Sequence, residues 1–399
     1  AEPLYDTRGR GGGVTEVISP LVDIRSRLTS RGDTELFRVN ADAPAYWRAT
    51  TLPEFDGTTF RLPTRSLERV EGEFGAADRS GRSIRQQIQV LSLGGKLVPA
   101  AAEPVQADGF SGGERIDLRL NRDTNTLVTP DDISPGDLFT VVSSAPRLTA
   151  DDLQAATSAE PPDPIFVELP DDLPDEVGRL AADVTAQAGN SYEAALALQT
   201  WFREEFEYSL EVQSGHGSNA IESFLDQRVG YCEQFSATFA AMTRTLDIPS
   251  RVAVGFTPGL QDDNGWYRVL GKNAHAWPEV WFDGLGWVAF EPTPGRGAPG
   301  AENYTNLTPA QDTSPRIPAG GDVDPSAPVN PTTPSTVVPS RTTLPDAGPG
   351  AAPQFDDLNP FGDGSDPAAT ADVDGSSPAP WILVGLLVLL TAAAAAPWS

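Results

Sequence analysis

The sequence predicts an α+β protein in which a helix that carries a cysteine packs on an antiparallel sheet that carries a histidine and an acidic residue. Short alternating runs such as LFRV and SIRQQIQVL, separated by turn signals, are typical of strands in the first part of the chain. Phe235, Phe239, Met242 and Leu246 recur at helical spacing. Farther on, HAWPEVWF and WVAFEPTP flank a tight DGLG turn, which is the pattern of a hairpin.

The composition limits the classes of partner. The chain has 399 residues, 39% of them hydrophobic, so it can bury at least one sizeable core. Acidic residues outnumber basic ones 56 to 28, and lysine and arginine form no patch that could follow a phosphate backbone. We therefore expect no nucleic-acid partner. The single cysteine cannot form an internal disulfide, so cysteine usage does not identify the redox compartment.

The chain divides into five predicted segments. Residues 1–34 form a flexible N-terminal segment, and residues 35–147 form a small β-rich domain whose function the sequence does not identify. After the proline-rich AEPPDP, residues 160–297 form the domain with the cysteine-bearing helix. Residues 298–380 are rich in proline and acidic residues and cannot bury enough apolar surface to fold, so we expect a disordered stalk. Residues 381–398 form the last segment.

This last segment, WILVGLLVLLTAAAAAPW, is an uncharged apolar run of 18 residues. Because about 20 residues span a bilayer, we expect a truncated transmembrane helix, with a buried core helix as the alternative. Ala1 opens the sequence and Met242 is the only methionine, so we expect a fragment of something longer. A stalk next to a membrane helix predicts a protein of the cell membrane whose folded domains lie on the extracytoplasmic side.

Helices are predicted for the first half of the domain at 160–297. One covers residues 175–187, and a second covers residues 191–206, where Asn190 and Glu193 form a capping-box-like pair. We expect both helices to be scaffold.

Cys232 lies in the first turn of the next helix, after Gly230, which we expect to take the positive φ of a turn. In a first turn, unpaired backbone N–H groups and the positive end of the helix dipole favour a thiolate, the nucleophilic form of cysteine. The alternative is that Cys232 is a small buried hydrophobic residue.

A thiolate nucleophile needs a base, and the chain has two histidines. His216 lies in the SGHGSN loop and is better interpreted as a solvated surface residue. His275 begins the strand HAWPEVWF and shares a face with Trp277 and Trp281, although it could simply cap the strand. On the partner strand, Glu291 returns toward the level of His275. A carboxylate there could hold the imidazole in the tautomer that accepts the thiol proton.

GYCEQFSATFAAMTRTLDIPSRVAVGF and NAHAWPEVWFDGLGWVAFEPTP resemble the core of the transglutaminase-like superfamily, which consists of papain-related thiol enzymes, in its membrane-anchored bacterial branch. The resemblance covers residues 165–296, and the earlier stretch YWRATTLPEFDG is similar to the extracytoplasmic region that precedes this core in that branch. It implies a nucleophile at Cys232, a base at His275 and a third residue at Glu291, where the family usually has an aspartate. It also implies that the backbone N–H of Cys232 donates to the oxyanion, together with a second donor that the sequence does not locate.

The resemblance implies an extracytoplasmic cysteine acyltransferase of the protein-glutamine gamma-glutamyltransferase type. The thiolate attacks a glutamine or peptide amide of a protein or peptide substrate, such as a cell-envelope component, and an amine or water resolves the thioester. Candidates for the substrate groove are Tyr231, Glu233, Trp277 and Trp281, with simple packing as the alternative for each. We expect no cofactor, and the spacing of the two histidines and the cysteine predicts no metal site.

Three other functions stay open. A cysteine peptidase or amidase acting on cell-envelope peptides uses the same residues and differs in its acceptor. A non-catalytic envelope-binding module keeps the fold without the activity, and Glu291 in place of aspartate is its main support. A surface spacer or adhesion protein needs only the β-rich domain and the stalk. Thiol reactivity separates the catalytic functions from the other two.

Overall fold

The structure is a computed structural model that describes residues 16–17, 28, 32–57, 59–62, 67–75, 81–156, 163–212 and 220–311. All of them belong to the first of two units, Ala1–Gly321, and the second unit, Asp322–Ser399, lies outside the described residues. The predicted transmembrane helix and all but the beginning of the predicted stalk also lie outside them. None of the helices in the described ranges has the length and hydrophobicity that a bilayer span requires.

The strands and helices of the described ranges follow the chain in this order. The strands are β1 Glu16–Val17, β2 Glu35–Ala41, β3 Trp47–Leu52, β4 Glu54–Phe55, β5 Phe60–Arg61, β6 Glu68–Val70, β7 Gly72–Glu73, β8 Arg82–Val90, β9 Leu93–Gly94, β10 Leu97–Val98, β11 Ala100–Ala101, β12 Glu103–Ser111, β13 Glu114–Arg115, β14 Leu118–Asn121, β15 Thr126–Val128, β16 Leu138–Ala145, β17 Glu207–Tyr208, β18 Val229–Gly230, β19 Ser250–Phe256, β20 Leu260–Gln261, β21 Trp266–Leu270, β22 Ala274–Phe282, β23 Gly286–Ala289, β24 Arg296–Gly297 and β25 Ala310–Gln311. The α-helices are α1 Ala150–Ala155, α2 Asp175–Val184, α3 Ser191–Glu205, α4 Ala220–Gln227, α5 Cys232–Arg244 and α6 Glu302–Thr305, and short 3-10 turns cover Pro164–Phe166 and Gly271–Asn273.

Local sequence signals account for the helices that surround the site. The Oδ1 atom of Asn190 accepts the backbone N–H of Glu193 at 2.9 Å, so α3 begins where the predicted cap stands. α5 begins at Cys232, as the helical spacing predicts. The α+β class expected from the sequence is confirmed.

Two large sheets contain strands from both halves of the chain. The five-stranded sheet has the order β11-β3-β19-β22-β23, and each of its neighbouring pairs is antiparallel. In the eight-stranded sheet, β2 lies between β8 and β21. In both sheets, a block of strands from segment 35–147 therefore pairs edge to edge with a block of strands from segment 160–297. The boundary between these segments as separate domains stays a prediction.

The early strand β3 approaches β19 closely because β19 contains a glycine. A Cβ atom at Gly255 would lie 2.1 Å from the carbonyl oxygen of Trp47, which is too short for any other side chain. The register of the two strands shifts at this point, between Val254 and Gly255. Trp47 is fully buried, and its Nε1 atom donates to the Pro258 carbonyl at 3.1 Å. These contacts fix β3 as an inner strand of the five-stranded sheet.

A buried ionic network ties three neighbouring strands of this sheet together. Glu279 of β22 accepts hydrogen bonds from Arg48 Nη1 of β3 at 3.0 Å and from Arg251 Nε of β19 at 2.7 Å. All three side chains are buried, so the carboxylate balances charges that water does not reach. Arg251 also lies over the Trp287 ring, with Cζ 4.2 Å from the ring centroid.

The helices cover one face of the five-stranded sheet. α5 packs on β22 and β19, and α2, α3 and α4 pack on α5. Phenylalanine rings fill the space between the helices: the Phe224 and Phe235 centroids are 5.0 Å apart, and Phe202 lies 6.1 Å from Phe235. This packing buries the apolar face of α5 and holds its first residue against β22.

Replacing Glu279 with glutamine should destabilise the fold by about 3–5 kcal/mol, because two buried arginines lose the carboxylate between them. The midpoint of urea unfolding measures the change, and Glu54→Gln on an exposed position of β4 is the matched control. Equal midpoints for the two variants would contradict the stabilising role of the network.

The same carboxylate should make the stability depend on pH. Burial raises the pKa of Glu279, but the charges and hydrogen bonds of Arg48 and Arg251 outweigh burial and lower this pKa overall. A depressed pKa means that the contribution is complete above the ordinary carboxyl value of about 4.3 and is lost as the pH falls below it. Urea midpoints measured from pH 7 down to pH 3 should therefore fall less steeply in Glu279→Gln than in the wild type.

Candidate active site

The N-terminus of α5 is formed by a tight turn after β18. Tyr231 is the N-cap residue, and its backbone N–H donates to Gln234 Oε1 at 3.2 Å. Gly230 does not have the positive φ expected from the sequence; Arg228 does, at 55°. The reason for glycine is space, because a Cβ atom at Gly230 would lie 2.6 Å from the Phe224 ring. This packing places Cys232 at the start of the helix.

Cys232 is fully buried between α5 and β22. Its thiol accepts a hydrogen bond from the backbone N–H of Ala276, the residue after His275. Burial raises the pKa of the thiol to about 12, and the positive charge of Arg296 and the Ala276 hydrogen bond offset only part of that rise. The helix N-terminus alone predicts a thiolate at Cys232. This prediction is wrong, because the loss of hydration on burial raises the thiol pKa more than the helix dipole lowers it. The resting thiol is neutral.

His275 and Glu291 meet in the dry interior of the site. The imidazole Nε2 atom lies 2.7 Å from the carboxylate Oε2, and the two side chains are 0% and 1% exposed. Burial raises the pKa of Glu291, but the charge and hydrogen bond of His275, helped by Tyr46 and Arg203, lower it overall. The ionised carboxylate accepts the Nε2–H, so Nδ1 is the basic nitrogen of the ring.

The basic nitrogen of His275 is ready to accept a proton. Among the described residues, Nδ1 is buried and makes no hydrogen bond. Burial lowers the pKa of His275, and the Glu291 charge offsets part of this effect. The imidazole is therefore neutral near pH 7. The arrangement combines a neutral thiol, a neutral imidazole and an ionised carboxylate, which is the resting state of general-base catalysis.

The register of the hairpin explains how a glutamate reaches the histidine. Glu279 of β22 lies opposite Ala289 of β23, and the Phe290 N–H donates to the Pro278 carbonyl at 3.0 Å. Continuing this register puts Glu291 opposite Trp277, two residues from His275. Diagonal neighbours of this kind are about 7–8 Å apart between Cα atoms, a distance that suits the longer side chain.

Backbone and side-chain contacts hold the Glu291 segment in place. The Thr293 N–H donates to Glu291 Oε1 at 3.1 Å, and the Glu291 N–H donates to Gln199 Oε1 at 2.9 Å. Arg203 Nη1 donates to the carbonyl oxygens of Glu291, Thr293 and Arg296 at 3.0, 2.7 and 3.0 Å. Both Gln199 and Arg203 belong to α3, so this scaffold helix also positions the carboxylate.

Tyr46, which the sequence does not identify as a site residue, reaches the site from the N-terminal half of the chain. Its hydroxyl donates to Glu291 Oε2 at 2.7 Å, the same oxygen that accepts from His275. Its ring is edge-on to the imidazole, with centroids 5.4 Å apart, and lies 4.8 Å from the Trp277 ring. The run AYWRATTL indicates a strand, but no local pattern points to a carboxylate 245 positions later.

The predicted substrate-groove residues divide into two groups. Trp277 stacks on His275, with centroids 6.0 Å apart, and the Tyr231 hydroxyl donates to Glu233 Oε2 at 3.1 Å beside Cys232. Burial raises the pKa of Glu233 to about 7, an effect that the Tyr231 hydrogen bond partly offsets.

Trp281 does not join this group. It packs on Trp287, with centroids 5.4 Å apart, and lies six residues along β22 from His275, which is about 20 Å. Trp281 therefore lies on the same face of β22 as His275 but too far along the strand to belong to the same site. Substrate binding by the residues that do adjoin the site stays a prediction.

The structure also bears on the other histidine and on metal binding. His216 lies outside the described residues. Within the described ranges, no group of three or more His, Cys, Asp or Glu side chains could hold a metal ion.

Replacing Tyr46 with phenylalanine should destabilise the fold by about 1–3 kcal/mol, because a buried carboxylate loses a hydrogen bond without gaining water. Urea unfolding at pH 7 measures the loss. Tyr267→Phe is the matched control, since Tyr267 is similarly buried and packs on Trp47 instead of on the site. Identical losses in the two variants would show that Tyr46 contributes only its ring.

Comparison with family models and curated proteins identifies relatives of both halves of the chain. Residues 178–292 match the family described as the transglutaminase-like superfamily, and residues 1–150 match the TgpA N-terminal domain. The chain is 28% identical over 230 residues to an uncharacterized protein YebA of Bacillus subtilis strain 168, covering 53% of this chain and 30% of that protein. It is 34% identical over 119 residues to a protein-glutamine gamma-glutamyltransferase of Pseudomonas aeruginosa, covering 29% of this chain and 18% of that protein. The chain thus spans less than a third of either relative.

Comparison with solved structures identifies the same fold. The periplasmic domain of TgpA from Pseudomonas aeruginosa superposes with a TM-score of 0.52 at 23% identity, covering 71% of this chain and 94% of that domain. Its ethylmercury-bound form superposes with a TM-score of 0.50 at 24% identity, covering 70% of this chain and 96% of that domain. At these identities the similarity concerns the fold alone. Residues 178–292 are thus similar to the transglutaminase-like superfamily, and residues 1–150, which precede this core, are similar to the TgpA N-terminal domain.

Proposed function

We propose that the protein is a cysteine acyltransferase of the transglutaminase type, with Cys232 as nucleophile and His275 as base. The observation that carries the proposal is the buried Glu291–His275 hydrogen bond, which leaves Nδ1 as the basic nitrogen on the strand whose next residue donates to the Cys232 thiol. The match of residues 178–292 to the transglutaminase-like superfamily supports a cysteine-based, transglutaminase-like function in general. The relative named protein-glutamine gamma-glutamyltransferase supports this particular reaction.

The geometry accounts for each step of an acyl transfer. Nδ1 of His275 takes the thiol proton as the sulfur attacks the amide carbonyl, and Glu291 stabilises the imidazolium that forms. The imidazolium then returns the proton to the leaving nitrogen, which departs as ammonia or an amine and leaves a thioester on Cys232. An amine then attacks the thioester and gives its proton to His275; the carbon–sulfur bond breaks, and His275 returns the proton to the Cys232 sulfur, which restores the resting thiol.

Burial supports transfer to an amine over hydrolysis. Cys232 and His275 are both 0% exposed in the state described. A site that excludes water suppresses the competing hydrolytic reaction. The proposed substrates are a protein or peptide glutamine and a primary amine, with hydrolysis of a cell-envelope peptide as the alternative outcome of the test.

We place the reaction outside the cytoplasm. The resemblance of the fold to a periplasmic domain supports this location. Anchoring in the cell membrane through residues 381–398 is a proposal that rests on the sequence alone.

The test uses the full chain with a glutamine-containing peptide and a fluorescent primary amine. We expect release of ammonia and incorporation of the amine, both measured by mass spectrometry. Cys232→Ala and His275→Ala should each lower the rate by about 10⁴-fold, because triad members act as a unit. His216→Ala, which alters the other histidine of the sequence, is the control and should retain the rate.

Two outcomes would redirect the assignment. Peptide cleavage or ammonia release without amine incorporation would identify a hydrolase. Absence of both products, together with a Cys232 thiol whose alkylation does not respond to His275→Ala, would favour a non-catalytic binding module.

Shortening the acid by one methylene should impair the enzyme even though the family usually has aspartate at this place. Because Glu291 reaches His275 diagonally, Glu291→Asp should lower kcat by about 100-fold, which is the effect expected of a misplacement of about 1 Å. Steady-state kinetics measure the change. Glu302→Asp on the short helix α6 is the control, and a fully active Glu291→Asp would contradict the geometric requirement.

The pH dependence of kcat/KM should reflect the neutral imidazole. Because the pKa of His275 is lowered by burial, His275 remains a base at the ordinary imidazole value of about 6.5. The acid limb of the profile should therefore lie below pH 6.5. An acid limb above pH 7 would show that a protonated His275 is stabilised instead.

A further inference from the structure

Arg296 carries a guanidinium with an open edge in the interior of the site. It is 1% exposed, and Nη1 donates to the Gln311 carbonyl at 3.1 Å. Gln311 is itself held by two hydrogen bonds to the backbone of Gly259, at 2.8 and 3.1 Å. Nε and Nη2, which form the other edge of the guanidinium, make no hydrogen bond within the described part of the chain. Such an edge offers two parallel N–H groups to an anion.

A second unpartnered donor lies beside this edge. Tyr208 is 3% exposed and belongs to β17, which pairs with β18 immediately before the cysteine-bearing helix. Its hydroxyl makes no hydrogen bond of normal geometry among the described residues. Burial raises the pKa of Tyr208, and Arg296 partly offsets this rise through its charge and a close polar contact with the hydroxyl.

Buried donors without partners and a buried cation without a counter-ion are both destabilising. Over the described ranges, no carboxylate lies within ion-pair distance of Arg296; of the two that adjoin the site, Glu291 binds His275 and Tyr46, and Glu233 binds Tyr231. The fold therefore keeps a donor set without its anion.

The charge of Arg296 acts on both reacting groups of the proposed function. The positive charge of Arg296 lowers the pKa of the Cys232 thiol against the effect of burial, and it also lowers the pKa of His275. Arg296 therefore lies close enough to act on both reacting groups. It favours negative charge at the sulfur and opposes positive charge at the ring.

We propose that the open edge of Arg296, together with the Tyr208 hydroxyl, is the anion site of the reaction centre and stabilises the charge that forms when Cys232 attacks an amide. In the attack, the sulfur–carbon bond forms, the thiol proton passes to His275 Nδ1, and the carbonyl π electrons move to oxygen. Arg296 and Tyr208 donate to that oxygen, opposite the Cys232 N–H. The carbon–nitrogen bond then breaks as His275 returns the proton to nitrogen. Arg296 supplies the second oxyanion donor that the sequence does not locate, and this assignment rests on the proposed function.

The first experiment measures how pH affects iodoacetamide alkylation of Cys232 in the full chain. Arg296→Gln removes the charge, and Arg296→Lys keeps it. Arg296→Gln should raise the thiol pKa and slow alkylation at a fixed pH below that pKa by about 10- to 100-fold, with partial rescue in Arg296→Lys. Arg244→Gln is the control, because Arg244 is equally buried in α5 but lies 12 residues, about 18 Å, from Cys232.

The second experiment measures acyl transfer to a primary amine. Arg296→Gln should lower kcat by about 10²- to 10³-fold with little change in KM, the effect of losing an oxyanion donor. Tyr208→Phe should lower kcat in the same direction, and it serves as the second variant if Arg296→Gln fails to fold. A rise in KM confined to peptides with a free carboxylate, at constant kcat, would overturn the proposal and make Arg296 a substrate-recognition residue.

The outcomes separate this inference from the proposed function. If His275→Ala alters alkylation and abolishes transfer while Arg296→Gln and Tyr208→Phe behave like the wild type, only the anion site is wrong. If the wild-type thiol is indifferent to His275→Ala and no transfer occurs, the proposed function itself fails.

Discussion

The site depends on one buried carboxylate oxygen, Oε2 of Glu291. His275 and Tyr46 both reach it at 2.7 Å, and it is kept ionised in a place that water does not reach. A neutral Glu291 would no longer select the imidazole tautomer with a basic Nδ1. Two neighbours stabilise this negative charge. Arg203 donates a hydrogen bond to the Glu291 backbone carbonyl, and the Thr293 N–H donates to Glu291 Oε1. Much of the polar structure around the hairpin therefore serves to hold one negative charge in the core.

Exclusion of water from the site favours the neutral forms of both Cys232 and His275. It raises the pKa of Cys232 to about 12 and lowers that of His275, so neither reacting group is charged at rest. In the proposed acyl transfer, charge is therefore created during the reaction, where preorganised donors stabilise it most strongly. The neutral resting pair is consistent with a stable fold, because a permanent thiolate–imidazolium pair would need its own partners in the interior.

The N-terminal half of the chain is part of the site. β3 lies inside the five-stranded sheet, where Arg48 is bound to Glu279 and where the preceding Tyr46 reaches the Glu291 carboxylate. Gly255 makes this insertion possible because no side chain fits between β19 and Trp47. The sequence did not identify a role for segment 35–147. In the structure, this segment contributes a strand, an ion pair and a hydrogen bond to the region of the candidate site.

Local signals in the sequence determined the elements and their order. The Asn190 cap of α3, the helical spacing after Cys232 and the glycine turn before β23 each depend on neighbouring residues, so these helices and the hairpin follow from them. Only the tertiary structure decided that the thiol is neutral, that Trp281 lies far from the site, that Tyr46 binds Glu291, and that Nε and Nη2 of Arg296 are buried without a hydrogen bond among the described residues. These properties depend on burial and on pairing between strands far apart in the chain, and no local pattern encodes which distant strand excludes the water.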